Sequence, residues 1–214
     1  MAIKLYGYWR SSTSYRTRIA LNLKGLAFEH KGVHLVKGEQ RVEAYRELNP
    51  LAVVPTVEYN GRTLTQSPAI LEYLEEIAPD PPLLPAASED RARVRAMAAI
   101  IGCDIHPIAN LSVLKYLKAE LEQEQAEIDA WVRHWVLRGL AALEAMIEET
   151  DAERGYCFGA DVTMADVYLA PQMYNARRFS ADLTGVPKLV RIDRSLSEHP
   201  AFAAAAPERQ PDAE

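Results

Sequence analysis

The chain has 214 residues, a formal net charge of −6 and a hydrophobic fraction of 49%. That composition can bury a sizeable core without covalent staples, and the acidic balance disfavours the broad basic face that binds nucleic acid or anionic lipid. No stretch approaches the roughly 20 consecutive apolar residues of a membrane span, and no cleavable apolar leader is recognisable, so we expect a cytoplasmic protein without nucleic-acid or membrane partners.

The first elements predicted along the chain are a strand, a helix and a second strand. IKLYGYW, from Ile3, alternates as a strand does, and residues 13–24 carry apolar residues at helical spacing before Gly25. FEHKGVHLV, residues 28–36, reads as a second strand, which implies a parallel crossover. A short helix is predicted within QRVEAYREL, residues 40–48.

The next segment carries the clearest local signals. Asn60-Gly61 lies between two strand-forming runs, and this dipeptide favours a type I′ hairpin turn. Ser67 is then a good N-cap, and Pro68 suits the first position of a helix that we expect to run to about Ala78.

Proline-rich PDPPLLP, residues 79–85, cannot continue either periodicity and marks a boundary. We therefore predict domains at 1–80 and 88–214, joined by a linker at 81–87. The second domain reads as helices throughout, with a kink at Pro107 and an end or bend at Pro171.

Smaller features of the second domain complete the prediction. A capping box is expected from Thr163 to Asp166, and the tail after Phe202 is expected to be loose or draped over the surface. Cys103 and Cys157 are far apart and close to no histidine pair, so we predict two buried thiols and no metal site.

Four hydroxyl residues crowd the predicted start of the first helix, in the stretch RSSTSYRTRIAL that begins at Arg10. One hydroxyl can cap the helix, and the others can serve turns, since Ser and Thr compete for backbone groups anywhere. The alternative is a binding site, because the N–H groups and the dipole of a helix N-terminus attract anions and thiolates. The hydroxyls taken without their neighbours leave both interpretations open.

The element order and several motifs resemble the zeta class of the cytosolic glutathione transferases. The motifs are the hydroxyl stretch, the Val-Pro pair before the hairpin, QSPAILEYLEE, CDIHPIANLSVLKYL, TMADVYLAPQ, NARRF and the late QPD. This resemblance covers essentially the whole chain. It implies an α/β thioredoxin-like N-terminal domain that binds glutathione, an all-α C-terminal domain, and a homodimer in which the N-terminal domain of one subunit lies against the helical domain of the other.

The activity that the resemblance implies is cis-trans isomerisation of a small dicarboxylate, a maleyl oxo acid. A glutathione thiolate adds to the conjugated double bond, the resulting single bond turns, and the thiolate leaves unchanged. The class commonly has Cys where this chain has Thr13, which favours maleylpyruvate over maleylacetoacetate as substrate. The two differ by one methylene, worth only about 1 to 3 kcal/mol of binding, so one sequence does not separate them.

The resemblance also assigns site residues. The catalytic group is Ser11, Ser12 and Thr13, with Ser11 as first choice for the sulfur contact. Arg10 and Arg178 match positions that hold substrate carboxylates, for which bidentate guanidinium groups are suited. Substrate binding also includes His106, and the residues assigned to glutathione are Ser11, Gln40, Val54, Pro55, Gln66, Ser67, His106 and Asn110.

The backbone geometry at several of these positions is also predicted. The resemblance implies a cis peptide between Val54 and Pro55, and Gln66-Ser67 at a strand end and helix start suit a carboxylate. His106 and Asn110 are four apart, which places both on one face of a continuous helix.

Three other arginines are weighed beside Arg178. Arg177 should point away from Arg178 and be solvated or ion-paired. For Arg16 and Arg18, deeper in the first helix, a structural salt bridge is at least as plausible as a catalytic task.

Two other functions stay open. One is a transferase that consumes glutathione by conjugation, or dehalogenates small α-halo acids, although it leaves little reason for two carboxylate-binding arginines. The other is a non-enzymatic module that only keeps the fold.

Overall fold

The computed structural model describes residues 2–214. These residues form two compact units. The first contains the chain up to Pro82 together with His199–Glu214, and the second is Leu83–Glu198.

A four-stranded mixed sheet organises the first unit. Its strands are β1 (Ile3–Gly7), β2 (Phe28–Gly32), β3 (Thr56–Tyr59) and β4 (Arg62–Thr65), in the order β2-β1-β3-β4. β1 runs parallel to β2 with Ile3 opposite Phe28, and antiparallel to β3 with Tyr6 opposite Thr56. The predicted parallel pair is confirmed, although β2 ends at Gly32 instead of continuing to residue 36.

The predicted hairpin joins β3 to β4. Asn60 has φ 48° and Gly61 has φ 72°, the pair of positive angles that a type I′ turn requires. Thr56 pairs with Thr65 across the hairpin, so its register agrees with the turn.

Helices α1 (Ser12–Leu23), α2 (Glu43–Leu48) and α3 (Ser67–Ile77) complete this unit, with a 3₁₀ turn at Glu39–Arg41. Leu5 of β1, Ile19 of α1 and Leu71 of α3 are fully buried and form part of the core. The β-α-β-α-β-β-α order is the thioredoxin-like arrangement that the resemblance implies.

The second unit is helical. Its elements are α4 (Ser88–Ala99), a π-helical segment (Ile100–Ile105), α5 (Leu111–Ala119), α6 (Gln125–Met146), α7 (Glu149–Arg154), α8 (Met164–Arg178), a 3₁₀ turn (Leu183–Gly185) and α9 (Pro187–Glu198). Within residues 2–214 no helix combines the length and apolarity needed to span a bilayer.

The sequence predicts that two prolines of this unit interrupt or bend their helices. The segment around Pro107 is broken and not merely kinked, because helical structure stops at Ile105 and resumes only at Leu111. Pro171 does not end its helix, since α8 continues through it to Arg178. The capping box between Thr163 and Asp166 at the start of α8 is confirmed.

The C-terminal segment joins the first unit, which differs from the predicted domain 88–214, and its tail contacts that unit, in agreement with the draped and not the loose alternative. Helix α10 (Pro200–Ala205) packs in the first unit against α1. Arg18 Nε donates to Ala205 O at 3.0 Å, and Asn22 Nδ2 donates to Ala201 O at 2.9 Å. Apolar Phe202 is buried there, so the segment belongs to the core of the unit that begins the chain.

Candidate active site

A β-turn leads from β1 into α1 and presents the hydroxyl cluster. Ser11 N donates to Tyr8 O at 3.0 Å, which closes the turn over Trp9 and Arg10. Ser11 is the N-cap of α1, and its Oγ accepts from Ser14 N at 3.3 Å. One of the four hydroxyls therefore caps the helix, as predicted.

The cluster separates into distinct roles. Ser14 is fully buried, and its Oγ accepts from Tyr8 N at 3.3 Å, so this hydroxyl is structural. Gly7 makes room for it, because a Cβ at Gly7 would lie 3.1 Å from Ser14 Oγ. Ser12 occupies the first position of α1 and is half-buried, where the helix dipole and the first-turn N–H groups favour an anion.

Thr13 connects the helix start to the loop before β3. Its Oγ1 donates to Val54 O at 2.9 Å and lies 2.9 Å from Ser11 Oγ. A threonine hydroxyl has one proton, so with that proton on Val54 O the Ser11 hydroxyl must donate to Thr13. A thiolate near Ser11 would offer the Ser11 hydroxyl proton a charged acceptor in place of Thr13 Oγ1, and a hydrogen bond to a charged acceptor is stronger.

The loop that carries Val54 is held firmly. Val53 O accepts from Tyr45 Oη at 2.7 Å and from Asn49 Nδ2 at 2.8 Å. The Val54–Pro55 peptide is cis, in agreement with the resemblance. Sequence reasoning did not single out Tyr45 or Asn49, because neither belongs to a recognisable motif.

The start of α3 corrects one prediction. Gln66, not Ser67, is the N-cap, with φ 65° and ψ 110°, and Ser67 is the first residue of the helix. The positive φ at Gln66 turns the chain out of β4 one residue earlier than the prediction. Ser67 is buried and Gln66 is exposed, and α3 has neither a side-chain cap nor an acid in its first turn. Positive backbone angles at such residues cluster at ligand sites, and this helix N-terminus fits a carboxylate.

Arg10 and Gln40 place buried polar atoms in the first unit. The Arg10 guanidinium carbon lies 5.1 Å from the Trp9 ring centroid, and its buried Nε has no hydrogen-bond partner among residues 2–214. Gln40 is buried, and its Nε2 donates to Leu35 O at 3.4 Å. The same unit contains an apolar cluster of Tyr8, Trp9, Val33, Tyr45 and Val54.

His106 and Asn110 do not share a helical face. His106 follows the π-helical segment, whereas Asn110 has an extended backbone and caps α5, accepting from Ser112 N at 3.0 Å and Val113 N at 3.1 Å. The predicted face assumed a continuous helix, which the break at Pro107 removes. Asn110 Nδ2 also donates to Pro107 O at 2.9 Å, so its amide already serves the turn.

The arginine pair at the end of α8 divides as predicted for Arg177. Arg177 Nη1 lies 2.5 Å from Asp193 Oδ2, and burial raises the pKa of Asp193 against the opposing effect of this arginine. Arg178 is exposed, with its guanidinium carbon 4.7 Å from the Phe179 ring centroid.

Arg18, one of the two buried arginines of α1, is structural in its contacts. Arg18 is fully buried and donates from Nη2 to Trp9 O at 2.9 Å. Burial lowers the pKa of Arg18 to about 10, partly offset by Asp212 and Tyr15, so it stays charged at neutral pH. Arg16 is also buried.

The two cysteines differ from the prediction that both are buried. Cys103 is exposed and Cys157 is buried. Within the described chain, no group of three or more His, Cys, Asp and Glu side chains is placed to hold a metal ion.

Comparison with known proteins agrees with this architecture. The family model for the glutathione S-transferase N-terminal domain matches residues 1–76. A maleylpyruvate isomerase of a Ralstonia species is 49% identical over 211 residues, covering 98% of this chain and 99% of the relative. The maleylacetoacetate isomerase of Pseudomonas aeruginosa is 46% identical over 213 residues, covering 98% of each chain.

Solved structures show the same relationship. A holo structure of a maleylpyruvate isomerase, described as a bacterial zeta-class glutathione S-transferase, has a TM-score of 0.96 at 48% identity, covering 99% of this chain and 100% of its own. The maleylacetoacetate isomerase of Anaeromyxobacter dehalogenans, with dicarboxyethyl glutathione and citrate bound, has a TM-score of 0.87 at 44% identity, covering 100% and 98%. The chain therefore belongs to the zeta class of the glutathione S-transferases.

Proposed function

We propose that this protein is a glutathione-dependent cis-trans isomerase of a maleyl oxo acid, with maleylpyruvate favoured and maleylacetoacetate as the close alternative. The observation that carries the proposal is the hydroxyl-rich N-terminus of α1, tied through Thr13 to the cis-proline loop. Relatives named for both isomerases, matched over nearly the full chain, support it.

Bound glutathione supplies the sulfur nucleophile whose reversible addition lets the carbon–carbon double bond turn from cis to trans. The residues of α1 stabilise that sulfur as a thiolate. A thiol with a pKa of about 8.5 is mostly protonated at neutral pH, and hydroxyl donors with a helix dipole shift it toward the anion. We assign this role to Ser11, with Ser12 and Thr13 beside it.

Other groups of the first unit hold the remainder of glutathione. The N-terminus of α3, with Gln66 and Ser67, suits the γ-glutamyl carboxylate, because its first turn contains no acid and no side-chain cap. The backbone of Val54, next to Pro55, and the buried amide of Gln40 are assigned to the rest of the peptide. Of the two residues proposed in the second unit, His106 stays a candidate, whereas Asn110 is already engaged as a helix cap.

The substrate is a dianion, and we assign its carboxylates to Arg10 and Arg178. Arg10 supports this role because its buried Nε has no partner among the described residues. Guanidinium groups bind carboxylates in a bidentate manner, which suits each arginine to a carboxylate of the acid.

The test is turnover of maleylpyruvate and maleylacetoacetate with sub-stoichiometric glutathione, followed by loss of the enol absorbance. We expect many turnovers per glutathione and none above background without it. Ser11→Ala and Arg178→Ala should lower kcat/KM by about tenfold or more. Arg177→Ala is the matched control, since Arg177 pairs with Asp193, and should stay within about twofold.

Each other outcome has a clear meaning. A strong preference for one acid names the substrate. Glutathione consumed one for one with a small α-halo acid, without isomerisation, would replace the proposal with the conjugating or dehalogenating transferase. No turnover of any acid would favour the non-enzymatic module.

We also propose a homodimer in the cytoplasm. The class resemblance supports the dimer, and a thiol cofactor supports a reducing compartment. Light scattering after size exclusion should give twice the chain mass of 23.9 kDa, and a mass equal to one chain would contradict the dimer.

A further inference from the structure

The turn that presents Arg10 and Ser11 is hydrogen-bonded to the C-terminal tail through Trp9. The hydrogen bond from Ser11 N to Tyr8 O closes the turn, but it leaves the N–H and C=O of Trp9 to find other partners. Trp9 is buried, and an unpaired buried backbone group is costly. These two groups therefore decide how firmly the turn is fixed.

Both partners come from elsewhere in the first unit. Asp212 Oδ2 accepts from Trp9 N at 3.0 Å, and Arg18 Nη2 donates to Trp9 O at 2.9 Å. Arg18 in turn donates to Ala205 O at 3.0 Å, so the same arginine links the turn to helix α10. The Asp212 carboxylate thus holds the Trp9 N–H, and the Arg18 guanidinium holds the Trp9 C=O.

The Asp212 carboxylate is itself well placed. Its Oδ1 lies 2.9 Å from His30 Nε2, and the His30 side chain is only 8% exposed. A Cβ on Gly32 would lie 3.3 Å from Asp212 Cβ, so the tail passes close against the end of β2. Gln210 Nε2 donates to Ala206 O at 2.9 Å, which fixes the local conformation of the tail just before this point.

We infer that Asp212 is a positioning residue for the isomerase site, and that its carboxylate sets the Tyr8–Ser11 turn through Trp9. The inference rests on the proposed function for the roles of Arg10 and Ser11. A displaced turn moves the Arg10 guanidinium and the Ser11 hydroxyl together. Loss of Asp212 should therefore weaken substrate binding and raise the pKa of the bound glutathione thiol at the same time.

The experiment compares Asp212→Ala and Asp212→Asn with the control Glu214→Gln. Glu214 lies in the same tail but pairs with His34 and Lys37, at 3.1 Å and 2.8 Å, and not with Trp9. Calorimetry measures glutathione affinity, ultraviolet absorbance of the thiolate against pH measures the thiol pKa, and steady-state kinetics separate KM from kcat.

We expect Asp212→Ala to weaken glutathione binding and raise the KM of the acid by about tenfold, the usual effect of one lost hydrogen bond to a charged group. The thiol pKa should move toward that of free glutathione. Asp212→Asn keeps an oxygen for Trp9 N–H and should recover most of the loss, while Glu214→Gln should match the wild type. An alanine variant with glutathione affinity and thiol pKa equal to those of the control would overturn the inference, as would an asparagine variant as impaired as alanine.

Two further measurements keep the result interpretable. If thermal unfolding shows that Asp212→Ala is unfolded at the assay temperature, Asp212→Glu takes its place. The extra methylene moves the carboxylate away from its position opposite Trp9 N, because the tail lies close against Gly32. Unchanged glutathione affinity in that variant would overturn the inference. Glutathione affinity and the thiol pKa are both measured without turnover. A wild-type protein that isomerises neither acid would therefore refute the proposed function, while these two measurements would still test the positioning role of Asp212.

Discussion

At the scale of single residues, Thr13 connects the hydroxyl cluster to the loop before β3. Its hydroxyl donates to Val54 O and accepts from Ser11, so it links the cap of α1 to the cis-proline loop. A cysteine at this position would offer only a weak S–H donor. Thr13 therefore acts by fixing neighbouring groups, and the nucleophile of the proposed reaction is the cofactor thiol.

The first prediction replaces Thr13 with Val, which keeps the shape of the side chain and removes the hydroxyl. Both of its hydrogen bonds are lost, so glutathione affinity should fall by about tenfold, and Thr13→Ser should restore it to within about threefold. Thr17→Val is the matched control, because Thr17 Oγ1 donates to Thr13 O inside the same helix. Calorimetry measures the three variants, and wild-type affinity in Thr13→Val would refute the role.

The second prediction concerns the cysteines. Burial, first of all, and the neighbouring Asp166 raise the pKa of Cys157 well above its ordinary value, so its thiol stays protonated and shielded as pH rises. Cys103 is exposed. Iodoacetamide should therefore label Cys103 but not Cys157 in the folded protein, at neutral pH and at mildly alkaline pH, and label both after denaturation, as read by peptide mass spectrometry. Labelling of Cys157 in the native chain would contradict the burial assigned to it.

At the scale of elements, the capping box at the start of α8 is the best-defined helix start in the second unit. Asp166 is fully buried and accepts from Thr163 N, Thr163 Oγ1 and Cys157 N at 2.7, 2.8 and 2.7 Å. The carboxylate thus caps α8 and holds the loop before it. Its loss would leave buried backbone donors without an acceptor.

The third prediction is that Asp166→Ala lowers the free energy of unfolding by about 3 kcal/mol, and Thr163→Ala by about 1 kcal/mol. Asp182→Ala is the control, because Asp182 caps only a short exposed 3₁₀ turn through Thr184 N at 3.0 Å. Urea denaturation gives the three values. A loss for Asp166→Ala no larger than for Asp182→Ala would show that the buried cap contributes little.

At the scale of the whole molecule, the chain returns to its beginning. After the helical unit ends at Glu198, α10 and the tail add to the unit formed by the first residues. Phe202, Arg18 and Ala205 join α10 to α1 through apolar packing and a buried hydrogen bond. The stability of the first unit, and of the site it carries, therefore depends on residues 199–214.

The fourth prediction tests this dependence with Phe202→Ala. Removing a fully buried phenylalanine costs about 3 to 5 kcal/mol, and the loss should fall first on the unit that contains the cavity. Amide hydrogen exchange should speed up more in α1 than in α6, with Phe202→Leu as a milder control. Equal acceleration in both helices, or a larger effect in α6, would place Phe202 in a different cooperative unit.

Short-range chemistry made much of this fold predictable. The Asn60-Gly61 turn, a cap from one of the four hydroxyls and the capping box from Thr163 to Asp166 were predicted correctly, because each depends on residues within a few positions of one another. Which hydroxyl is the cap, Ser11, was not predicted. The resemblance in turn supplied the cis peptide before Pro55 and the candidate site residues. The same local reasoning misplaced the cap of α3 by one residue, since the backbone angle of Gln66 is not encoded by its residue type.

Only the tertiary structure decided the partners of several buried polar groups. Thr13 meets Val54 across 41 positions, and Trp9 meets Asp212 across 203, distances over which no periodicity or motif carries information. The QPD motif supported the class resemblance, but only the packing of the tail against β2 showed that Asp212 accepts from Trp9 N. Local patterns specify where elements begin and end, whereas the partners of buried polar groups are selected by the assembled core, because only there does an unpaired donor become costly.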